Sequence, residues 1–238
     1  MIIVYSGTRN LYECMIPSIT SLLEHNSSEK IYILTEDDTF PYELPEMCET
    51  INVAPLKDKY FLPNGANMNS QFTYMAMMRI VYADLFPGYT KILQLDVDTI
   101  ICDSLQPVWE TDLTGKWFAA VPEYLGNYKP FRNEHYYNIG VCLYNLEQMR
   151  KDNCLPYMVQ LLNYARMMCV EQDALNLFGG HDKGVVLPIR YNECFATGRT
   201  GNPAVVHYAG YPNWWTDETT PRREYLSKYL KKMKVEKG

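Results

Sequence analysis

Asp96 and Asp98 stand two positions apart at the end of an apolar run, Lys91-Ile92-Leu93-Gln94-Leu95. On an extended backbone, side chains at i and i+2 leave the same face, roughly 6.6 Å apart along the strand. Carboxylates that share a face repel: like charges about 4 Å apart oppose each other by roughly 4 kcal/mol at an effective dielectric near 20. A cation held between them removes that repulsion. His207 follows a second apolar run, Ala204-Val205-Val206. If its imidazole converges on the two aspartates, the three make a carboxylate/imidazole donor set. That mixture suits Mn²⁺ better than the all-oxygen surroundings typical of Mg²⁺ or Ca²⁺.

Other polar groups sit where apolar ones are expected. Arg79 lies inside a segment rich in Met, Ile, Val and Phe. A buried guanidinium without a partner is expensive, so it should reach an anion or a carboxylate. Asn138-Ile139-Gly140-Val141 opens a strand after a polar, aromatic loop, and Gly140 admits close approach by another backbone or a ligand. Glu171-Gln172-Asp173 begins a short helix. Capping accounts for one acid there, but not for three successive polar groups.

These residues need a scaffold, and the apolar pattern describes one. Residues 2–5, 30–35, 50–54, 91–95, 117–121, 139–144, 185–188 and 204–208 read as strands. Residues 11–23 read as a helix interrupted by Pro17, residues 70–86 as one helix apolar on every side, residues 146–168 as a helix broken at Pro156, and residues 171–178 as a short helix. Strand, helix, strand at this spacing indicates a βαβ unit. The expectation is an α/β fold, a largely parallel sheet with helices on both faces, whose ligands gather beyond the carboxyl ends of the strands.

The chain has 238 residues, is 47% hydrophobic and 21% charged, and supports a sizeable core. A net charge of −6 argues against nucleic acid as a partner. Seven cysteines without a Cys-x-x-Cys pair argue against a zinc site or disulfide framework and fit a reducing cytosol. No leader-like segment precedes the first strand, so a cytoplasmic location is expected. A single domain over residues 1–220 is expected, followed by a tail, 221–238. The tail's basic residues, with Tyr225, Leu226, Tyr229 and Leu230 at helical spacing, read either as a solvated helix or as peripheral contact with an anionic membrane.

Taken in order, Ser6 to Asn10 after the first strand, Arg79 before Leu85-Phe86-Pro87, the Asp-x-Asp, Asn138-Ile139-Gly140-Val141, Glu171-Gln172-Asp173 and His207 with Gly210 resemble glycosyltransferase family 8, the retaining GT-A group. The resemblance runs from residue 2 to about residue 215. It implies a GT-A, Rossmann-like mixed sheet, a UDP-sugar donor, a glycan or lipid-linked acceptor, and Mn²⁺, with Mg²⁺ as the other candidate. By position it implies that Asp96, Asp98 and His207 ligate the metal and that Thr8 and Asn10 meet the uracil or ribose. Arg79 and Asn138 would hold the diphosphate or donor sugar, and Glu171 and Gln172 would meet the anomeric face, with Gly210 and Asn213 beside the donor. Gln172 and Asp173 are the candidates to stabilise the cationic sugar.

Two positions depart from the family pattern. Asn213 stands where a lysine normally grips the diphosphate, and asparagine supplies no positive charge. Lys183, Arg190 and Arg199 are the candidates to replace it. Thr8 and Arg9 stand where acids are frequent. The departure at Asn213 keeps a second reading open, a nucleotide-sugar-binding protein or hydrolase without efficient transfer. A nucleotidyltransferase is disfavoured because Ser6-Gly7-Thr8-Arg9-Asn10 is too short and glycine-poor for a phosphate loop. Tyr124, Tyr128, Phe131, Tyr136 and Trp214 are candidate stacking groups for the acceptor.

Overall fold

The computed structural model describes residues 1–123, 136–211 and 213–236, with side chains through residue 230. β1 (Ile2–Ser6) is buried at every position, as a parallel strand covered on both faces must be. A 3-10 turn, Arg9–Leu11, leads into α1 (Tyr12–His25), which runs through Pro17 and returns the chain to β2 (Lys30–Thr35). β3 (Cys48–Asn52), α2 (Lys57–Tyr60), α3 (Thr73–Met77), α4 (Tyr82–Leu85) and β4 (Lys91–Leu95) follow. The second half contains β5 (Thr99–Ile101), α5 (Gln106–Trp109), β6 (Phe118–Pro122), β7 (Tyr137–Asn145), α6 (Leu146–Lys151), α7 (Leu155–Tyr164), α8 (Val170–Gly179), β8 (Gly184–Val186), β9 (Val205–His207) and α9 (Arg223–Glu236).

Seven strands form one sheet in the order β3-β2-β1-β4-β7-β6-β8. β1 to β4 are mutually parallel, β7 runs antiparallel to both neighbours, and β8 is parallel to β6. Side-chain alternation along β1 divides the core. Ile3 and Tyr5 pack with Met15, Ile19 and Leu22 of α1, while Ile2 and Val4 face Met75, Ile80, Met158 and Leu162 on the other side.

Three expectations change. Residues 70–86 do not form one helix: α3 and α4 are separated by a 3-10 turn, Met78–Val81, that carries Arg79. A segment buried on all sides has no single stripe to set its helical axis, so tertiary packing decides its winding. The span 146–168 is broken next to Pro156 as expected, but the gap falls ahead of the proline, between α6 and α7, and Pro156 lies in the first turn of α7, where its missing N–H has no helical partner to lose. The last strand, β9, leaves the main sheet and pairs antiparallel with β5, a three-residue strand that periodicity does not reveal.

The tail is docked. Leu226 and Tyr229 are buried against Cys14, Ile100, Tyr208 and Trp214, and Lys228 pairs with Glu24 at 2.7 Å. Exposing a fully buried side chain such as Leu226 would cost about 1.5–3 kcal/mol, so this apolar face is committed to the fold. Among the described residues no helix is long and apolar enough to cross a membrane.

Candidate active site at the carboxyl ends of β1 and β4

Strand order reverses between β1 and β4, and in open α/β sheets that reversal leaves a crevice beyond the strand ends. A cleft of about 730 Å³ lies there. Asp96 and Asp98 line it, but not as neighbours on an extended strand. β4 ends at Leu95, the two acids occupy the following turn, and β5 begins at Thr99. Their convergence comes from pairing. Thr99 lies opposite His207 across β5 and β9, and the Tyr208 N–H donates to the Asp98 carbonyl at 2.9 Å. His207 Nε2 is 3.2 Å from Asp98 Oδ1 and 3.5 Å from Asp96 Oδ2. One donor atom from each residue falls within a 4.8 Å cluster.

Gly140 makes room for the imidazole. A Cβ added there would lie 2.1 Å from His207 Cε1 and 2.6 Å from Nδ1. The glycine therefore admits neither a backbone nor a ligand, but the ring of His207. The Asp96 N–H donates to the Gly140 carbonyl at 2.7 Å, which ties the aspartate turn to the same strand. On its other edge His207 Nδ1 meets Asn192 Oδ1 at 2.8 Å. Asn192 Nδ2 donates to Asn138 Oδ1 at 2.7 Å, and Asn138 Nδ2 donates to Glu123 Oε1 at 2.8 Å. Two carboxylates and one imidazole facing a cleft, with the ring seated in a hollow shaped for it, fit a divalent transition-metal ion.

Arg79 finds carboxylates. Its guanidinium is 2.6 Å from Asp96 Oδ1 and 3.3 Å from Glu171 Oε1, and Nε donates to Ser6 Oγ at 3.3 Å. Gln94 Nε2 also donates to Asp96 Oδ1, at 2.9 Å. That oxygen is thus occupied, and Oδ2 is the one turned toward His207. Burial opposes the Arg79 charge, but Asp96 and Glu171 outweigh it and raise its pKa. Burial pushes Glu171 up to about 7 in spite of Arg79. Burial works against Asp98 and His207 as well, yet their contact lowers the aspartate and raises the histidine well above its ordinary range.

Thr8, Asn10, Asn138, Glu171, Gln172 and Gly210 also line the cleft. Gln172 is held by three bonds: Oε1 accepts from the Ile139 N–H, while Nε2 donates to Glu123 Oε1 and to the Tyr136 hydroxyl. Val170, a β-branched residue at φ 38°, turns the chain immediately before Glu171. Asp173 stands behind the cleft lining, where Oδ2 accepts the N–H groups of Met168 and Cys169 at 2.9 Å and Oδ1 accepts the Tyr136 hydroxyl. These bonds tie it to the turn that precedes α8.

Asn213 is exposed and lies outside the cleft lining. None of its proposed substitutes lines the cleft. Lys183 pairs with Asp152, Arg190 pairs with Asp103, and Arg199 borders a separate small pocket. Of the candidate stacking residues, Tyr136 is buried with its hydroxyl engaged, Trp214 borders the cleft while stacked on Tyr208, and Tyr124, Tyr128 and Phe131 lie outside the described residues. Phe72 and Phe195 are the exposed aromatics of the lining, and sequence reading passed over both. It also passed over Gln94 and Asn192, polar residues that no local pattern distinguishes, and over the place of Glu123 between Asn138 and Gln172.

Comparison with known proteins gives the family and the fold. The family model described as "Glycosyl transferase family 8" matches residues 2–219. Two similar curated proteins come from Streptococcus pneumoniae serotype 4. Glycosyltransferase GlyA is 24% identical over 90% of this chain, and glycosyltransferase GlyD is 28% identical over 89%. The chain spans 32% of the length of GlyA and 26% of that of GlyD. The galactosyltransferase LgtC, solved with donor and acceptor sugar analogs, superposes with a TM-score of 0.77 at 21% identity, covering 98% of this chain and 96% of that one. Glycosyltransferase GlyE of Streptococcus pneumoniae TIGR4 superposes with a TM-score of 0.71 at 22% identity, covering 96% and 59%. At these identities the superpositions speak for a shared GT-A fold.

Proposed function

This chain belongs to glycosyltransferase family 8, and on that premise we propose that it is a metal-dependent, retaining transferase that moves a hexose from a UDP-sugar to a hydroxyl of a glycan or lipid-linked acceptor. The observation that carries the reading is the convergence of Asp96, Asp98 and His207 beside Arg79, in a cleft at the strand ends. These three side chains would hold the ion, with Mn²⁺ favoured by the imidazole. When bound, a divalent ion supplies Lewis acidity to the departing diphosphate.

The chain's own residues account for the rest. Thr8 and Asn10, following β1, offer hydrogen bonds on the side where the nucleoside would lie. Glu171 and Gln172 form the wall for the donor sugar. As the glycosidic bond breaks, positive charge grows on the sugar ring, as in other glycosyl chemistry. Fixed acceptors in a low-dielectric wall stabilise such charge without reorganising. Gln172 has its amide oriented in advance by Ile139 and Glu123. The acceptor hydroxyl would attack from the face the diphosphate leaves, and a diphosphate oxygen takes its proton, so no side chain has to serve as a strong base.

A screen of UDP-hexoses with Mn²⁺ by melting temperature tests the donor class. A ligand at 100 times its Kd adds about 2.7 kcal/mol of stability. Asp98→Asn should lower transfer more than about a hundredfold in a chain that still folds, as its circular dichroism spectrum would show, although the metal-free melting temperature falls with the loss of the Asp98–His207 contact. Undiminished transfer by that variant would remove the proposed metal role.

One observation favours a second reading, a nucleotide-sugar binder or hydrolase. No lysine lines the cleft among the described residues, and Asn213 faces solvent. Incubating the donor without acceptor separates the cases: release of free sugar marks a hydrolase, and UDP-sugar binding without turnover under any acceptor marks a binder.

A further inference from the structure

A run of hydrogen bonds in the cleft wall has a polarity that its own chemistry fixes. Glu123 lends a carboxylate oxygen that accepts two amide donors, Asn138 Nδ2 at 2.8 Å and Gln172 Nε2 at 3.1 Å. With its nitrogen committed there, Asn138 presents Oδ1 the other way. That oxygen accepts the Gly140 N–H at 3.0 Å and Asn192 Nδ2 at 2.7 Å, so two independent donors confirm its orientation. Asn192 in turn has its nitrogen committed, donating to the Asn138 carbonyl as well at 3.3 Å. Its Oδ1 is the atom left to face His207 Nδ1, at 2.8 Å. An amide oxygen only accepts, so Nδ1 carries the hydrogen. The other ring nitrogen, Nε2, is the one directed at Asp96 and Asp98.

We propose that Asn192 is a positioning residue that selects Nε2 as the metal-binding atom of His207, with Asn138 and Glu123 fixing the orientation of Asn192. Asn192 is wholly buried and absent from the cleft lining, so it acts on substrate only through the histidine. Partners of this kind fix the tautomer and plane of a ligating imidazole. The Cys194 thiol also interacts with the ring, but sulfur is a weak acceptor beside an amide oxygen. Gly140 serves the same end twice, since its N–H holds Asn138 and its missing Cβ leaves space for the ring. The proposal rests on the metal reading above.

The test uses the intact chain and the metal ion alone. Mn²⁺ binding is followed by electron paramagnetic resonance, and ¹⁵N-histidine NMR with diamagnetic Cd²⁺ reports which nitrogen is metallated. Wild type should show a metal-shifted Nε2 and a protonated Nδ1. Asn192→Leu should bind Mn²⁺ about 10–100-fold more weakly and lose the single Nδ1–H signature. Asn192→Asp, which keeps an oxygen in place, should restore that signature, and Cys194→Ala should leave it intact. If the leucine variant does not fold, Asn192→Ser carries the same expectation, because its shorter side chain withdraws the acceptor. Metallation at Nδ1 in wild type, or a folded Asn192→Leu or Asn192→Ser that binds Mn²⁺ as tightly as wild type, would overturn the proposal. Wild-type protein that binds no Mn²⁺ would overturn the metal reading instead, and that result appears before any substitution is made.

Discussion

The corner built by Arg79, Asp96 and Glu171 and the strip that follows His207 border the same cleft with opposite construction. In the corner, side-chain exposures are 14%, 19% and 7%, and each charge meets an opposite one within 3.3 Å. In the strip, Gly210 turns at φ 86°, Trp214 stacks on Tyr208, and Asn213 is exposed, its main-chain oxygen accepting from Thr216 and Asp217. In the corner one guanidinium answers two carboxylates, so each charge has a partner within the protein. The strip brings no cationic side chain to the cleft among the described residues. A polyanionic ligand entering here is therefore met mainly by whatever Asp96, Asp98 and His207 hold.

Breaking the corner should have the largest effect. Arg79→Met leaves two buried carboxylates without their cation, and removing one partner of a buried pair typically costs about 3–5 kcal/mol. Urea unfolding measures it, and adding Glu171→Gln to that variant should recover part of the loss. Glu171 alone sharpens the point through pH. Its folded pKa is held near 7, above the ordinary value of 4.5, so the folded state keeps the proton more tightly. Its contribution is fully present below pH 4.5 and is lost as pH rises toward 7. Metal-free Glu171→Gln should show a flatter stability profile across that window in unfolding experiments at stepped pH.

A smaller effect is expected where the two regions join. Gly140→Ala places a methyl carbon 2.1 Å from the His207 ring, which must move. Mn²⁺ affinity should fall about 10–100-fold, with about 1–3 kcal/mol lost from overpacking. The strip itself should respond least. Asn213→Lys adds a flexible exposed cation and should tighten UDP binding by at most about fivefold, in keeping with the small worth of exposed pairs. A gain of several hundredfold would mean that the strip closes over the diphosphate when ligand is present.

The parts legible in the sequence were those whose signal is local. β1, α1, β2 and β4 follow from apolar runs and their period, the order of polar motifs placed Asp96, Glu171 and His207 at strand or helix ends, and the cost of burying Arg79 inside an apolar segment pointed to a carboxylate partner. What stayed hidden depends on distant partners. β5 and β9 are three residues each, and only their mutual pairing explains why His207 meets Asp98. Asp96 and Asp98 converge through a turn, for which two-residue alternation was the wrong geometry. Asp173 stood out as one of three successive polar groups, and only the folded chain shows its carboxylate accepting main-chain N–H groups just ahead of α8. Asn192 carries no local mark, and its meaning comes from the two side chains on either side of it in space.

Calorimetric titration of UDP into the wild-type chain, once with saturating Mn²⁺ and once with excess EDTA, tests the central claim most directly. Binding with Mn²⁺ and none detectable with EDTA is the predicted result. Equal affinity in the two titrations would mean that the Asp96–Asp98–His207 cluster does not mediate the hold on the diphosphate.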